Sequence, residues 1–239
     1  MKWIKKLAII LFDFLDQNLH QKRIYYFFKE RRIDLDFCID VGTHLGLYTD
    51  LILKINNKAK ILLFEPQNFY FEKLKKKYKK NKNIKVFGFA LSDKKAKKTL
   101  YVNKHDLTSS LKLNINKNLY FKLKAFLFNT SVSGMIKKKE KIKTNTLSNI
   151  LPKKKIIIDF IKIDTEGYEF EVIKGISKKI FSTRYLLVEF HSQKTYKNYS
   201  PKKIHDYLVK NGFELIKTFH FPLSTFEDRI YENINIRRI

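Results

Sequence analysis

Short apolar runs alternate along the chain with stretches in which apolar residues recur every three or four positions. Continuous or alternating apolar runs predict strands, and apolar residues at helical spacing predict amphipathic helices. The predicted strands cover residues 36–40, 60–64, 84–91, 156–163 and 185–188, and the predicted helices begin near residues 47, 69, 169 and 201. Strands and helices that alternate in this way are typical of βαβ units, so the pattern predicts an α/β protein with a mostly parallel sheet.

The alternation breaks between residues 94 and 155, which we interpret as an insertion on one face of the sheet. The pattern there predicts a strand at 99–102, an edge strand at 140–144 and a helical turn at 147–151, while 112–139 show no clear period. Two closing strands are predicted at 213–219 and 229–236. No linker divides the chain, so residues 33–239 are expected to form one domain.

Residues 1–32 are expected to form an amphipathic helical segment. The run from Leu7 to Phe12 follows several lysines, as in a signal peptide, but it is short, Asp13 interrupts it and no cleavage site follows. Two interpretations stay open: a helix packed on the domain, or a basic interfacial helix with Trp3 at the lipid head groups. The expected location is the cytoplasm, and peripheral membrane contact through residues 1–20 is the alternative.

The composition narrows the classes of protein and of partner. A single cysteine, Cys38, excludes intramolecular disulfides and multi-cysteine metal sites, and its apolar neighbours predict a core position. The net charge of +27 is typical of proteins that bind nucleic acid, but only seven of the 50 basic residues are Arg. Codons rich in A and T explain the abundance of Lys, so nucleic acid is not the expected partner. The charge still attracts anions in a salt-dependent way.

Carboxylates end four of the predicted strands, at Asp40, Glu65, Asp164 and Glu189. An acid after a strand also caps the helix that follows, so a single one of them would indicate little. Ligands of open α/β sheets bind beyond the carboxyl ends of the strands, where all four would meet. Together with the glycines of the first turn, they predict a ligand site at this edge.

The first turn reads Asp40-x-Gly42-x-x-x-Gly46, which differs from the Gly-x-Gly-x-x-Gly turn of dinucleotide-binding folds. An acid in its first position disfavours a phosphate and favours a ligand with positive charge. Glu65 follows Gly46 at about the spacing of an acid that binds ribose hydroxyls. The predicted ligand therefore has a ribose and a cationic portion but no phosphate, and S-adenosylmethionine fits this description.

Six segments resemble the FkbM-type S-adenosylmethionine-dependent methyltransferases, in the order and approximate spacing of that family, from about Phe37 to His191. They are Asp40-Val-Gly-Thr-His-Leu-Gly46, Phe64-Glu-Pro66, Ala90-Leu-Ser-Asp93, Thr146-Leu147, Ile161-Lys-Ile-Asp-Thr-Glu-Gly-Tyr-Glu169 and Val172-Ile-Lys-Gly175. The resemblance implies a class I methyltransferase fold, which is a Rossmann-like three-layer α/β fold. Its seven-stranded sheet is mostly parallel, with the last strand antiparallel.

The resemblance also implies roles for individual residues. The turn from Gly42 to Gly46 would wrap the methionine part near Asp40, Glu65 would bind the ribose, the segment from Ala90 to Asp93 would lie beside adenine, and Asp164 would face the methyl group. The cofactor-binding residues are thus expected to be Asp40, Gly42, Thr43, Gly46, Glu65, Pro66, Ala90, Leu91, Ser92, Asp93 and Asp164. His44 occupies a variable position of the family and is not expected to be catalytic.

The family's usual activity implies O-methylation of a sugar, a glycan or a related small molecule. An alcohol must lose its proton, and the candidate bases are Asp164, Glu166, Glu189 and His191. His191 would otherwise be a loop histidine, and Glu166 an acid in the first turn of a helix. No metal is expected, although Asp164 and Glu189 holding a divalent cation is an alternative. An RNA methyltransferase and a non-catalytic, membrane-peripheral binding protein are the other functions left open.

Overall fold

The computed structural model describes residues 20–103, 109–112, 136–154, 156–193, 195–220 and 226–236. The strands are β1 Phe37–Val41, β2 Lys60–Phe64, β3 Ile84–Phe87, β4 Ala90–Leu91, β5 Ala96–Asn103, β6 Ile136–Asn145, β7 Ile158–Ile163, β8 Thr183–His191, β9 Phe213–His220 and β10 Phe226–Asn233. The helices are α1 Gln21–Glu30, α2 Leu47–Ile55, α3 Asn68–Lys77, α4 Leu147–Ile150, α5 Glu169–Ile176 and α6 Pro201–Lys210. Expectations for residues 1–19, Trp3 among them, and for 113–135 lie outside the described residues.

Seven strands form the main sheet in the order β3-β2-β1-β7-β8-β10-β9. Strands β1, β2, β3, β7 and β8 pair in parallel, whereas β10 runs antiparallel to both β8 and β9. The α/β class and the antiparallel last strand are therefore confirmed. Because the parallel strands all end at one edge, their carboxyl ends and the loops that follow them are brought together there.

Two apolar layers cover the sheet, because successive residues of its buried strands point to opposite faces. Ile39 and Ile161 belong to the cluster that contains Val172 of α5 and Leu208 of α6. Their neighbours Cys38 and Phe160 belong to the cluster on the other face, with residues of α1, α2 and α3. Cys38 is fully buried, which confirms its predicted place in the core.

Helix α1 is part of this second layer. Its residues Ile24 and Phe28 are fully buried, and the Phe28 ring meets that of Phe160 edge to face at 4.9 Å. The first described helix therefore packs against the centre of the sheet. No helix within the described ranges is long and apolar enough to cross a membrane.

Three details differ from the predicted elements. The predicted strand 84–91 is two strands, because the chain bends at Gly88 and Phe89 and β4 joins a separate three-stranded sheet in the order β4-β6-β5. The predicted edge strand 140–144 is wrong in position, since β6 lies at the centre of that small sheet and pairs on both sides. Strand β8 extends through His191, so Glu189 and His191 lie within it and not in a loop.

Candidate active site

Glycine shapes the turn that follows β1. Gly42 has a φ of +76°, and a Cβ added to it would lie 1.8 Å from the carbonyl oxygen of Asp164 in the loop after β7. Gly46, at φ +80°, precedes α2, and a Cβ there would lie 2.4 Å from the hydroxyl of Tyr78. Only glycine fits both the left-handed backbone and the lack of space. The turn is therefore pressed against the neighbouring loop and helix.

A cleft of about 650 Å³ opens at this edge of the sheet. Six of the predicted site residues line it: Gly42, Glu65, Pro66, Ala90, Leu91 and Asp164. Apolar side chains that were not predicted, Leu100 and Leu111, lie in the same lining. The cleft thus combines an apolar wall with the carboxylates of two strand ends.

Glu65 is held in place by the backbone. The N–H groups of His44 and Gln67 each donate to a different carboxylate oxygen of Glu65, both at 2.9 Å. Burial raises the pKa of Glu65 to about 7, although these two hydrogen bonds favour the ionised form. Each carboxylate oxygen has a second lone-pair direction, so Glu65 can accept two further hydrogen bonds from a ligand diol.

Five of the predicted cofactor residues do not belong to the cleft lining: Asp40, Thr43, Gly46, Ser92 and Asp93. Asp40 is fully buried and accepts a hydrogen bond from Thr49 of α2 at 2.7 Å. Asp93 pairs with Lys174 at 3.1 Å, and Ser92 contacts the hydroxyl of Tyr168 at 2.9 Å. These contacts brace the loops around the cleft, and direct contact of the five residues with a cofactor stays a prediction.

Lys162 is a functional candidate that the sequence reasoning missed. Its ammonium lies 3.0 Å from Asp164 and 3.7 Å from Asp40, and it donates to the carbonyl oxygen of Gly42 at 3.2 Å. Burial alone would raise the pKa of Asp164, but the Lys162 ammonium holds it below its ordinary value. The signal was present: a lysine in a strand buried on both faces needs an anionic partner.

The remaining candidate bases form a cluster outside the cleft lining. His191 Nε2 lies 2.8 Å from Glu189 Oε2 and 4.0 Å from Glu166 Oε2, and the hydroxyl of Tyr196 donates to Glu166. The Glu189 side chain is also within hydrogen-bonding reach of Asp164. The cluster is therefore connected to the cleft through Asp164.

Charge sets the protonation of this cluster. Burial would lower the pKa of the His191 imidazole, but the carboxylates of Glu189 and Glu166 raise it to about 10. Burial raises the pKa of Glu189 well above its ordinary value. With a protonated His191 at neutral pH, Asp164 is the predicted base that both lines the cleft and is ionised.

The loop between β7 and α5 carries Glu166 to this cluster. Glu166 has a φ of +54°, and Gly167, at +95°, has no room for a Cβ, which would lie 2.4 Å from the ring of Tyr196. A left-handed Glu is uncommon and is over-represented at functional sites. Tyr196, like Tyr168 of the cleft lining, is a site residue that sequence reasoning missed, because neither lies at a strand end.

A sheet in this order, with a glycine turn and carboxylates at its carboxyl edge, defines a class I methyltransferase-like α/β protein. Residues 40–215, well over half of the chain, match the family described as the methyltransferase FkbM domain. The chain therefore belongs to the FkbM family of methyltransferases. No curated protein matches its sequence.

Solved structures resemble the chain in fold. The N-methyltransferase NodS from Bradyrhizobium japonicum WM9 is 6% identical, with a TM-score of 0.49, over 91% of this chain and 98% of that one. The human methyltransferase 10 domain containing protein is 16% identical, with a TM-score of 0.48, over 92% of this chain and 83% of that one. At these identities the similarity concerns the fold alone.

Proposed function

We propose that the protein transfers a methyl group from S-adenosylmethionine to a hydroxyl oxygen of a sugar, a glycan or a related small molecule. The observation that carries the proposal is Asp164, an ionised carboxylate in the cleft lining whose charge is fixed by Lys162 at 3.0 Å. A carboxylate in this position can accept the proton of an alcohol. Amine acceptors do not need such a group once they are neutral.

The cleft suits the proposed cofactor. Glu65 retains two free lone-pair directions for the ribose diol, and the lining beside it is apolar at Phe64, Leu91 and Leu100, as a purine requires. Gly42 and Asp164, which pack against each other, both line the cleft. When bound, S-adenosylmethionine supplies an electrophilic methyl group on a cationic sulfur.

This chain contributes alignment and proton acceptance. The loops after β1 and β7, in contact at Gly42 and Asp164, hold the cofactor side and the acceptor side of the cleft at a fixed separation. Alignment of two reactants supplies about 7–11 kcal/mol of the barrier reduction in well-oriented systems. Asp164 then takes the hydroxyl proton, and Lys162 stays charged and keeps Asp164 oriented.

The test uses S-adenosylmethionine labelled in its methyl group and a panel of monosaccharides, nucleotide-activated sugars and catechol-like diols, with total RNA and primary amines for comparison. We expect label in an alkali-stable ether of a hydroxyl compound. Asp164→Asn should lower the rate about 10²-fold or more, with the affinity for S-adenosylmethionine changed less than threefold. Asp206→Asn, on the surface of α6 beside Lys202, is the matched control.

Two results would overturn the proposal. The first is label that accumulates in RNA or in amines and not in hydroxyl compounds. The second is a folded Asp164→Asn variant that transfers methyl groups at the rate of the unaltered protein.

A further inference from the structure

Glu166, Glu189 and His191, here called the triad, bring three potential metal ligands together. One ligand atom from each residue lies within 4.8 Å of the other two. An imidazole nitrogen and two carboxylate oxygens are the ligands of many divalent transition-metal sites. The three residues come from two elements, the loop after β7 and the C-terminal end of β8, which the parallel pairing of these strands holds side by side.

The polar atoms at the centre of the triad are buried and face one another. The His191 side chain is 6% exposed, and its Nε2 forms the ion pair of 2.8 Å with Glu189 Oε2. Neither atom has a hydrogen bond to a further group in the described part of the chain. Buried polar groups with so few partners are uncommon in native proteins, and a bound ion is one explanation for them. Both atoms point into the triad.

The surroundings keep the triad in place. The backbone N–H of His191 donates to the hydroxyl of Tyr199 at 3.0 Å, and the rings of Tyr196 and Tyr199 meet the imidazole edge-on at 5.0 and 5.8 Å. The hydroxyl of Tyr196 donates to Glu166. Outer contacts of this kind orient the ligands of metal sites before the ion arrives.

Charge favours a cation at the triad when it replaces the proton that His191 carries at neutral pH. Glu189 is within reach of a third carboxylate, Asp164, and the ammonium of Lys162 is already engaged by Asp164 and Asp40. Glu169, fully buried nearby, directs one oxygen to the backbone N–H of Gly167 at 2.9 Å. The surroundings of the triad are therefore rich in carboxyl groups inside a chain whose net charge is +27.

We propose that Glu166, Glu189 and His191 bind one divalent cation of the Mn²⁺ type. Three protein ligands leave coordination positions open for oxygen atoms of another molecule. Since Glu189 reaches Asp164 at the cleft, the cation would hold an acceptor hydroxyl beside the proposed base. This role rests on the proposed function, whereas binding of the cation itself does not. The ligand set differs from the pair of Asp164 and Glu189 that the sequence suggested.

The experiment is a titration of the full chain with Mn²⁺, followed by the electron paramagnetic resonance signal of the free ion. We expect one Mn²⁺ per chain, and at least tenfold weaker binding in Glu189→Gln and in His191→Gln. The control is Glu227→Gln, because Glu227 forms a His–carboxylate pair of the same 2.8 Å length with the exposed His220 but lies outside the triad. It should bind Mn²⁺ like the unaltered protein.

Tyr196→Phe gives a second, milder test, since it keeps all three ligands and removes only the hydroxyl that holds Glu166. We expect binding several-fold weaker than in the unaltered protein, with folding checked by thermal melting. The proposal is overturned if the folded protein takes up no stoichiometric Mn²⁺, or if both ligand variants bind it as well as the control.

Titration of the same samples with S-adenosylmethionine separates the two proposals. If the cofactor binds and hydroxyl compounds are methylated without a divalent cation, the role of the cation in the reaction fails and the proposed function stands. If one Mn²⁺ binds at the triad and no hydroxyl compound is methylated, the cation site stands and the proposed function fails.

Discussion

The fold orients the Glu65 side chain but disfavours its ionised form. Two backbone N–H groups orient it toward the cleft, and burial raises its pKa from the ordinary 4.5 to about 7. A group whose pKa rises on folding binds a proton more tightly in the folded state. Its contribution to stability therefore declines as the pH rises from about 4.5 through about 7. Glu65 therefore contributes least to folding stability in the pH range where its ionised form is available for a ligand.

The affinity for S-adenosylmethionine should follow the ionisation of Glu65. Only the carboxylate accepts hydrogen bonds from both ribose hydroxyls with both oxygens, so the affinity should increase with pH up to about 7 and level off above it. Calorimetric titration at pH 6 should give about tenfold weaker binding than at pH 8. Glu65→Gln should bind weakly at both pH values with little slope. A slope equal to that of the unaltered protein would assign the pH dependence to another group.

At the scale of elements, β7 is the strand on which the site depends. All six of its residues are buried, and it lies between β1 and β8 in parallel pairing. Lys162 of β7 is in register with Asp40 of β1, so these neighbouring strands place opposite charges side by side in the core. One strand thereby supports the turn after β1, the carboxylate at its own end and the cluster on β8.

Replacing Lys162 with Met should destabilise the domain by about 3–5 kcal/mol, because it leaves the fully buried Asp40 without its cationic partner. Urea unfolding followed by circular dichroism would measure the loss. Adding Asp40→Asn to Lys162→Met should restore part of the stability, since it removes the charge that has lost its partner. A loss below about 1 kcal/mol in the single variant would show that the pair contributes as little as an exposed one.

The sequence predicted those elements whose signals are local. Helix α6 lies where it was predicted, with Ser200 accepting the N–H of Lys203 at 3.2 Å and Pro201 in the first turn. The central position of β6 was missed, because its neighbours β4 and β5 pair with it through contacts that periodicity along one strand does not report. The bend at Gly88, which moves β4 out of the main sheet, was not predicted for the same reason.

The same distinction applies to the candidate site. Acids at strand ends indicated one edge of the sheet, and Glu65 and Asp164 line the cleft at that edge. The direction of Asp40 could not be predicted, because it depends on the pleat of β1 and on the lysine beside it in β7. Tyr196 was missed because its hydroxyl reaches Glu166 across 30 positions of sequence.

At the scale of the whole molecule, basic residues dominate the sequence and carboxyl groups dominate the site. The chain carries 50 basic and 23 acidic residues, yet the carboxylates of Asp40, Glu65, Asp164 and Glu189 meet at one edge of the sheet. A high net charge destabilises a compact chain through self-repulsion, which salt screens. Ordinary surface ion pairs would have the opposite response, since salt weakens them.

We therefore expect NaCl to stabilise this protein. The net charge of +27 makes the repulsive contribution larger than that of the exposed ion pairs, such as Lys202 with Asp206. A rise from about 50 to about 500 mM NaCl shortens the screening length to roughly 4 Å and should raise the Tm by about 2–4 °C for each kcal/mol of relieved repulsion. Scanning calorimetry at fixed pH measures it, with sucrose at matched osmolarity as the control for solvent exclusion. A Tm that falls with NaCl would mean that attractive ion pairs, and not the excess of lysine, dominate the electrostatics of the fold. The excess of positive charge would then have to be offset locally by those pairs.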